Sequence, residues 1–450
     1  MNRKVPLILT LALALAILLS LPATALQATA MQQDATPTPP PAEEAPAEAP
    51  PTLATAAAVT DLSNQFGRTI STARKNTFII DSAPPLGHPA EEMNPVEAML
   101  ASLATCGLVI YEAAAKEMDI PLTAASVTVQ GDFDARGLAG TAEANPRVQE
   151  FRAHLTLEGP DDDQAAALLE QWSLRCPIYT TLIKSAPIIV TTNDEEMGGS
   201  SAEGLATATI SASLSNQPGR TIVNVRDNYL IVDSVPPLGG PNLEVNPLDL
   251  LLAAQGSCGA VIMEKAAIDN DIALDGVTGT VQVDFDPRGL TDGTISPAVQ
   301  AMRVSWEIGT ETDEEAQFLV DEWLSRCPIY NTLVRTTDIE VSHKLMGEGT
   351  ALLDVSFAYD IAADELRAEL APLTEQFAAT DGLVWKLWAI DEENNRFSGK
   401  LLFADGKAMQ AFLDGELAAT LMAHPALSDF EVTPYAVMAA ESRQTRGPIR

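Results

Sequence analysis

Short runs of alternating apolar and polar residues fill most of this chain, and twice they give way to a long stretch that is apolar on nearly every side. Over 206–213, 220–225 and 229–233 the period is two, as in strands with one buried face. At Asn246 the pattern changes. Pro247 has no N–H to lose and suits a first helical turn, and an Ala/Leu-rich run carries that helix to about Asn270. Apolar residues lie all round it, so it is expected to be buried on most sides. "GVTGTVQVDF" and "AMRVSWEIGT" then alternate as strands, "DEEAQFLVDEWLSR" repeats at the helical period, and "DIEVSHK" closes as a strand. The predicted unit is an α+β domain, one long central helix against a curved antiparallel sheet.

This order of elements occurs twice because the sequence does. "LATAAAVTDLSNQFGRTI" starts at Leu53 and "LATATISASLSNQPGRTI" at Leu205; "NPVEAMLASLATCG" starts at Asn94 and "NPLDLLLAAQGSCG" at Asn246. Each copy has the length of a whole domain rather than of a solenoid unit. The predicted domains are 53–192 and 205–344, with an acidic Gly/Ser linker over 193–204. Beyond them, over 350–441, the pattern reads strand, helix, two strands, helix, strand, with Pro372 bending the first helix. That is a ferredoxin-like βαββαβ sandwich, followed by a tail over 442–450. In "GLVWKLWAID" alternation puts Trp385 and Leu387 on one face and Lys386 and Trp388 on the other, and both tryptophans are expected in the core.

The two ends of the charge scale add little. With 27 basic and 62 acidic residues the formal charge is −35, which leaves no cationic footprint for nucleic acid. The N-terminus says more. Arg3 and Lys4 precede an apolar run over 5–21, and Ala23-Thr24-Ala25 and Ala28-Thr29-Ala30 offer small-residue cleavage sites. Residues 1–30 are therefore read as a secretory signal or an uncleaved membrane anchor, placing the protein in the cell envelope or outside the cell. The Pro/Ala/Glu-rich stretch 31–52 is a solvated spacer.

The chemistry lies in four cysteines. Cys106 and Cys258 sit midway along the two apolar helices, where burial would raise a thiol pKa. Cys176 and Cys327 open the near-identical "CPIYTTL" and "CPIYNTL", where a helix N-terminus favours a thiolate. Physics alone nominates the Cys-Pro thiol as the more reactive. Three connectivities are open to four cysteines, and the duplication favours Cys106–Cys176 with Cys258–Cys327. The four histidines, His88, His154, His343 and His424, are not duplicated, so neither a histidine metal site nor a catalytic triad is expected in the repeats.

A helix of the form Asn-Pro-x-Glu/Asp with a cysteine twelve residues after the Asn, followed ~70 residues later by the Cys-Pro turn, resembles the OsmC/Ohr family of thiol-dependent hydroperoxide reductases. The resemblance implies that Cys106 and Cys258 attack the peroxide and Cys176 and Cys327 resolve the product. It implies an arginine from the N-terminal strands beside the helix thiol. Arg68 with Arg220 is the preferred pair, and Arg74 with Arg226 the other. Ohr-type members carry Glu directly after Asn-Pro; here Val96 and Leu248 stand there, and the acids Glu97 and Asp249 come one residue later. The implied partners are an organic hydroperoxide and an external thiol or dithiol reductant, with no cofactor. Family members are intertwined dimers, so the tandem copies are expected to form that dimer within one chain. "DGLVWKLWAIDEENNRFSGKLLF" is similar to the YdhR group of mono-oxygenase-like proteins, whose folds are dimeric α/β barrels; a homodimer through this domain is implied. A rival function stays open: a non-enzymatic envelope protein whose structural disulfides frame a site for an apolar small molecule.

Overall fold

The computed structural model describes residues 53–87, 90–141, 144–200, 202–347, 349–445 and 447–449. The predicted leader and spacer over 1–52, and His88, lie outside them. The first repeat runs β1 (Ala54–Leu62), β2 (Arg68–Ala73), β3 (Asn76–Asp81), α1 (Pro95–Glu117), β4 (Ala124–Phe133), α2 (Ala135–Ala139), β5 (Val148–Glu158), α3 (Asp162–Arg175), α4 (Pro177–Leu182) and β6 (Ile188–Thr192). The second runs β7 (Ala206–Leu214), β8 (Arg220–Val225), β9 (Asn228–Asp233), α5 (Pro247–Asp269), β10 (Val277–Phe285), β11 (Ala301–Ile308), α6 (Asp313–Arg326), α7 (Pro328–Leu333) and β12 (Ile339–Leu345).

The repeats do not fold side by side; they exchange strands. One six-stranded sheet has the order β12-β11-β10-β1-β2-β3 and the other β6-β5-β4-β7-β8-β9. Strand β1 of the first repeat runs antiparallel to β10 of the second, from Ala54↔Phe285 to Asp61↔Thr278. Strand β7 does the same to β4, from Ser126↔Ser213 to Phe133↔Ala206. The chain is thus its own intertwined pseudo-dimer. Helices α1 and α5 pack on each other at its centre and share a single apolar core drawn from both repeats. Each is long and apolar enough to cross a bilayer, yet protein buries nearly all of it.

Both helices start where the sequence said. Asn94 and Asn246 cap them in reciprocal boxes with Glu97 and Asp249, and Pro95 and Pro247 fill the first turn. Each satisfies N–H groups that the buried helix end would otherwise leave orphaned.

The C-terminal part is β13 (Ala351–Tyr359), α8 (Ala363–Leu370), α9 (Leu373–Ala378), β14 (Leu383–Asp391), β15 (Arg396–Phe403), α10 (Gly406–Leu413), α11 (Glu416–Met422), β16 (Leu427–Ala436) and α12 (Ala439–Gln444). Its sheet order, β14-β15-β13-β16, is the ferredoxin-like arrangement, and the first helix breaks around Pro372 as expected. The expectation for the tryptophans is corrected. Trp388 packs inward against Phe377 and Phe397, whereas Trp385 faces away and donates its indole N–H to the Pro448 carbonyl at 2.7 Å.

Candidate functional site

Each helix cysteine meets the Cys-Pro cysteine of its own repeat. Cys106 and Cys176 are disulfide-bonded with Cα atoms 6.1 Å apart, and the Sγ atoms of Cys258 and Cys327 stand 2.6 Å apart. All four are buried. Two local devices bring them together. After each helix cysteine comes a glycine, Gly107 or Gly259, against which an indole lies so closely that a β-carbon would stand 2.7 Å from Trp172 or 2.4 Å from Trp306. On the other side, Cys176 and Cys327 cap α4 and α7, their Sγ atoms accepting from Tyr179 N–H and Tyr330 N–H at 3.3 Å. The short helices are tied across the pseudo-twofold: Val299 N–H donates to Thr181 and Val148 N–H to Thr332, both at 2.9 Å.

Burial sets the electrostatics of the free pair. It pushes the Cys258 thiol up, the neighbouring Cys327 adds to this, and only the Ile329 N–H opposes it. No guanidinium figures among those groups. The Gly-Arg pair is occupied elsewhere: Arg68 bonds Gln65 and Glu91 at 2.6 Å with Asp81 at 3.5 Å, and Arg220 bonds Asp233 and Gln217 at 2.6 Å. The resemblance implied Arg68 and Arg220 beside the helix thiols, but their bonds run to these residues and not to the helix-cap acids Glu97 and Asp249. Those acids belong to the other arginine pair, reached across the pseudo-twofold. Arg74, at a left-handed turn (φ 54°), bonds Asp249 at 2.7 Å, Asn242 at 2.8 Å and the Glu244 carbonyl. Arg226, at the same φ, bonds Glu97 at 2.6 Å and the Glu92 carbonyl. Burial raises the pKa of both acids, and their caps and arginines pull it back.

An apolar pocket of about 90 Å³ opens onto Cys106, lined by Val109 and Pro177 of its own repeat and by Val235, Leu248, Phe285 and Leu290 of the other. Cys106 reaches it; Cys176 does not line it. Behind the Leu290 wall lies Arg175, the residue before the Cys-Pro step. It is 1 % exposed, donating to the Leu290 carbonyl at 2.9 Å and to Glu117 at 2.7 Å. Its counterpart Arg326 reaches the Leu138 carbonyl at 3.2 Å. The covering loop comes from the other repeat, so no local signal marks either arginine as buried.

Sequence reasoning missed a second symmetric pair. Glu264 of α5 accepts from Gly67 N–H, and Glu112 of α1 from Gly219 N–H, each at 2.6 Å. Burial raises both, Glu264 to about 7, against the backbone N–H that lowers it. A carboxyl whose folded pKa is raised favours the fold fully below its unfolded value and loses that contribution as pH rises through about 7. Glu264→Gln is expected to flatten this dependence by about 1 kcal/mol between pH 4.5 and 7.5, read from urea unfolding at both pH values.

Comparison with known proteins agrees with the geometry. The family model described as OsmC-like protein matches residues 87–192 and again 240–342, and the ydhR mono-oxygenase model matches 352–448. A search of curated proteins returns no match. Among solved structures, an OsmC-like protein from Mycoplasma pneumoniae is 20% identical over 30% of this chain and 94% of its own, with a TM-score of 0.26. A protein of unknown function from Nitrosomonas europaea is 26% identical over 20% of this chain and 90% of its own, with a TM-score of 0.19. SnoaB, a cofactor-independent oxygenase from Streptomyces nogalater, is 18% identical over 20% of this chain and 94% of its own, also with a TM-score of 0.19. The chain is two OsmC-like domains in tandem, interlocked as one body, followed by a ydhR-like domain.

Proposed function

We propose that the two-repeat body is an exported, thiol-dependent reductase of organic hydroperoxides. The observation that carries this reading is the apolar pocket that opens onto Cys106, with Cys176 bonded to that same sulfur. In the reduced protein a Cys106 thiolate attacks the outer peroxide oxygen. The O–O bond breaks, the alkoxide takes a proton and leaves as alcohol, and the sulfur becomes a sulfenic acid. Attack by the Cys176 thiol forms the S–S bond and expels water. An external dithiol, itself oxidised to a disulfide, restores both thiols. Cys258 and Cys327 repeat the cycle. The apolar walls suit an alkyl or aryl hydroperoxide better than hydrogen peroxide.

With burial holding the Cys258 thiol protonated, turnover at that site is limited by the thiolate fraction. Initial rates of cumene hydroperoxide consumption with dithiothreitol should climb about tenfold per pH unit through neutrality. Cys106→Ser and Cys258→Ser should each remove roughly half of that rate, and the double variant all of it. Absence of peroxide-dependent turnover in protein whose four cysteines reduce and reoxidise sinks the reading.

Burial of all four cysteines favours one other function: an envelope protein with two structural disulfides, each contributing about 2–4 kcal/mol, that holds an apolar molecule in the same pocket. Reduction would then lower the melting temperature, and hydroperoxide would persist.

A further inference from the structure

The C-terminal domain holds an amine that nothing in the thiol chemistry uses. Lys386 on β14 points with Trp388 into the space between sheet and helices. Its Nζ lies 3.1 Å from the ring centroid of Phe377 and 3.6 Å from that of Trp388. Gly399 on the next strand lies beside it: a β-carbon there would crowd Phe397 at 3.2 Å and sit in ordinary contact with Lys386 Cε at 3.7 Å. Lys400, one strand over, bonds Asp354. Among the described residues no carboxylate pairs with Lys386.

A lysine kept only as a structural cation would be matched by an acid. Here the surroundings are Phe377, Trp388, Phe397, Phe412 and Met422, with about 30 Å³ of free space beside them. Ring faces favour an ammonium, but burial works against it and pushes the pKa down to about 7. A neutral amine in an apolar pocket is a nucleophile. A second cavity of about 260 Å³ backs onto the first across Leu370, Trp388 and Phe397. The inner space has the size of one terminal carbonyl group, and the outer one that of a short apolar chain.

We propose that this cavity takes a small apolar aldehyde, which Lys386 captures as an imine. The amine lone pair attacks the carbonyl carbon, both N–H protons pass to the carbonyl oxygen through solvent, and that oxygen leaves as water. The C=N bond replaces C=O with no change of oxidation state.

The test is to incubate the full chain with butanal and sodium cyanoborohydride at pH 7 and map butylated peptides by mass spectrometry. A surface lysine is neutral in roughly one molecule in a few thousand at that pH, so Lys386 should be alkylated at least about 100-fold faster than Lys400 or Lys407. Lys386→Arg, which keeps the cation and its ring contacts, should retain the wild-type melting temperature and lose the fast-labelled peptide. Labelling of Lys386 no faster than that of Lys407, or fast labelling that persists in the arginine variant, overturns the proposal.

Discussion

The second repeat expressed alone, from residue 205 to 346, is expected to sediment as a dimer and never as a folded monomer. Its strands β10 to β12 form only half a sheet; in the full chain β10 is completed by β1 over the register Ala54↔Phe285 to Asp61↔Thr278. Its own β7 to β9 lie in the other sheet, against β4. A lone copy would expose the paired edge of β10 and strip α5 of the strands β1 and β2 that pack on it. That loss exceeds the ~5–15 kcal/mol by which a domain of this size is stable. A second copy repairs it, because β7 carries the same pattern as β1 and can take its place on β10 of the partner. Residues 53–346 as one chain should be monomeric at every concentration. Sedimentation equilibrium distinguishes the two, and a cooperatively unfolding monomer of a single repeat would refute the interlocked fold.

What the sequence makes legible is local. The helix starts at Asn94 and Asn246, the break at Pro372 and the strand patterns need only caps, proline and alternation, and all appear where expected. The reach between the two cysteines of each repeat follows from a duplicated spacing and a family resemblance. Partner choice is what fails. Gly67-Arg68 fits the family's Gly-Arg pattern, but which arginine meets which helix depends on strand exchange. Only once β2 and β3, and likewise β8 and β9, lie in the other repeat's sheet do Arg74 and Arg226 stand over the caps Asp249 and Glu97. The same long-range fact hides Arg175, and likewise the Glu264 contact to Gly67. Alternation tells a side chain which face it takes; it does not say which segment covers that face.

Arg152→Ala is expected to cost about 3–5 kcal/mol near pH 7.5, far more than the equivalent change in the second repeat. Arg152 on β5 is 2 % exposed and faces two carboxylates, Asp132 and Glu150, with Glu150 at 2.7 Å and Gln130 at 3.0 Å. Burial alone would raise Asp132, but hydrogen bonds from Arg152 and Thr207 outweigh it and hold its pKa below the usual carboxylate range. A group so depressed stabilises the fold above its unfolded pKa and loses that contribution as pH falls through the folded one. Without Arg152 the sign reverses, since the buried carboxylates of Asp132 and Glu150 lose the cation they share and must either stay charged at a cost or take up protons. The deficit of the variant should therefore shrink as pH falls from 7.5 toward 5. The second repeat supplies the control. There Arg303 pairs with Asp284 at 2.7 Å, but the guanidinium is 36% exposed and an alanine, Ala301, stands where the first repeat has Glu150. Solvent replaces a lost partner at such a site, so Arg303→Ala should cost no more than about 1 kcal/mol. Urea unfolding of both variants at pH 5 and 7.5 measures the difference, and equal losses in the two repeats would show that the Arg152 cluster is not held away from water.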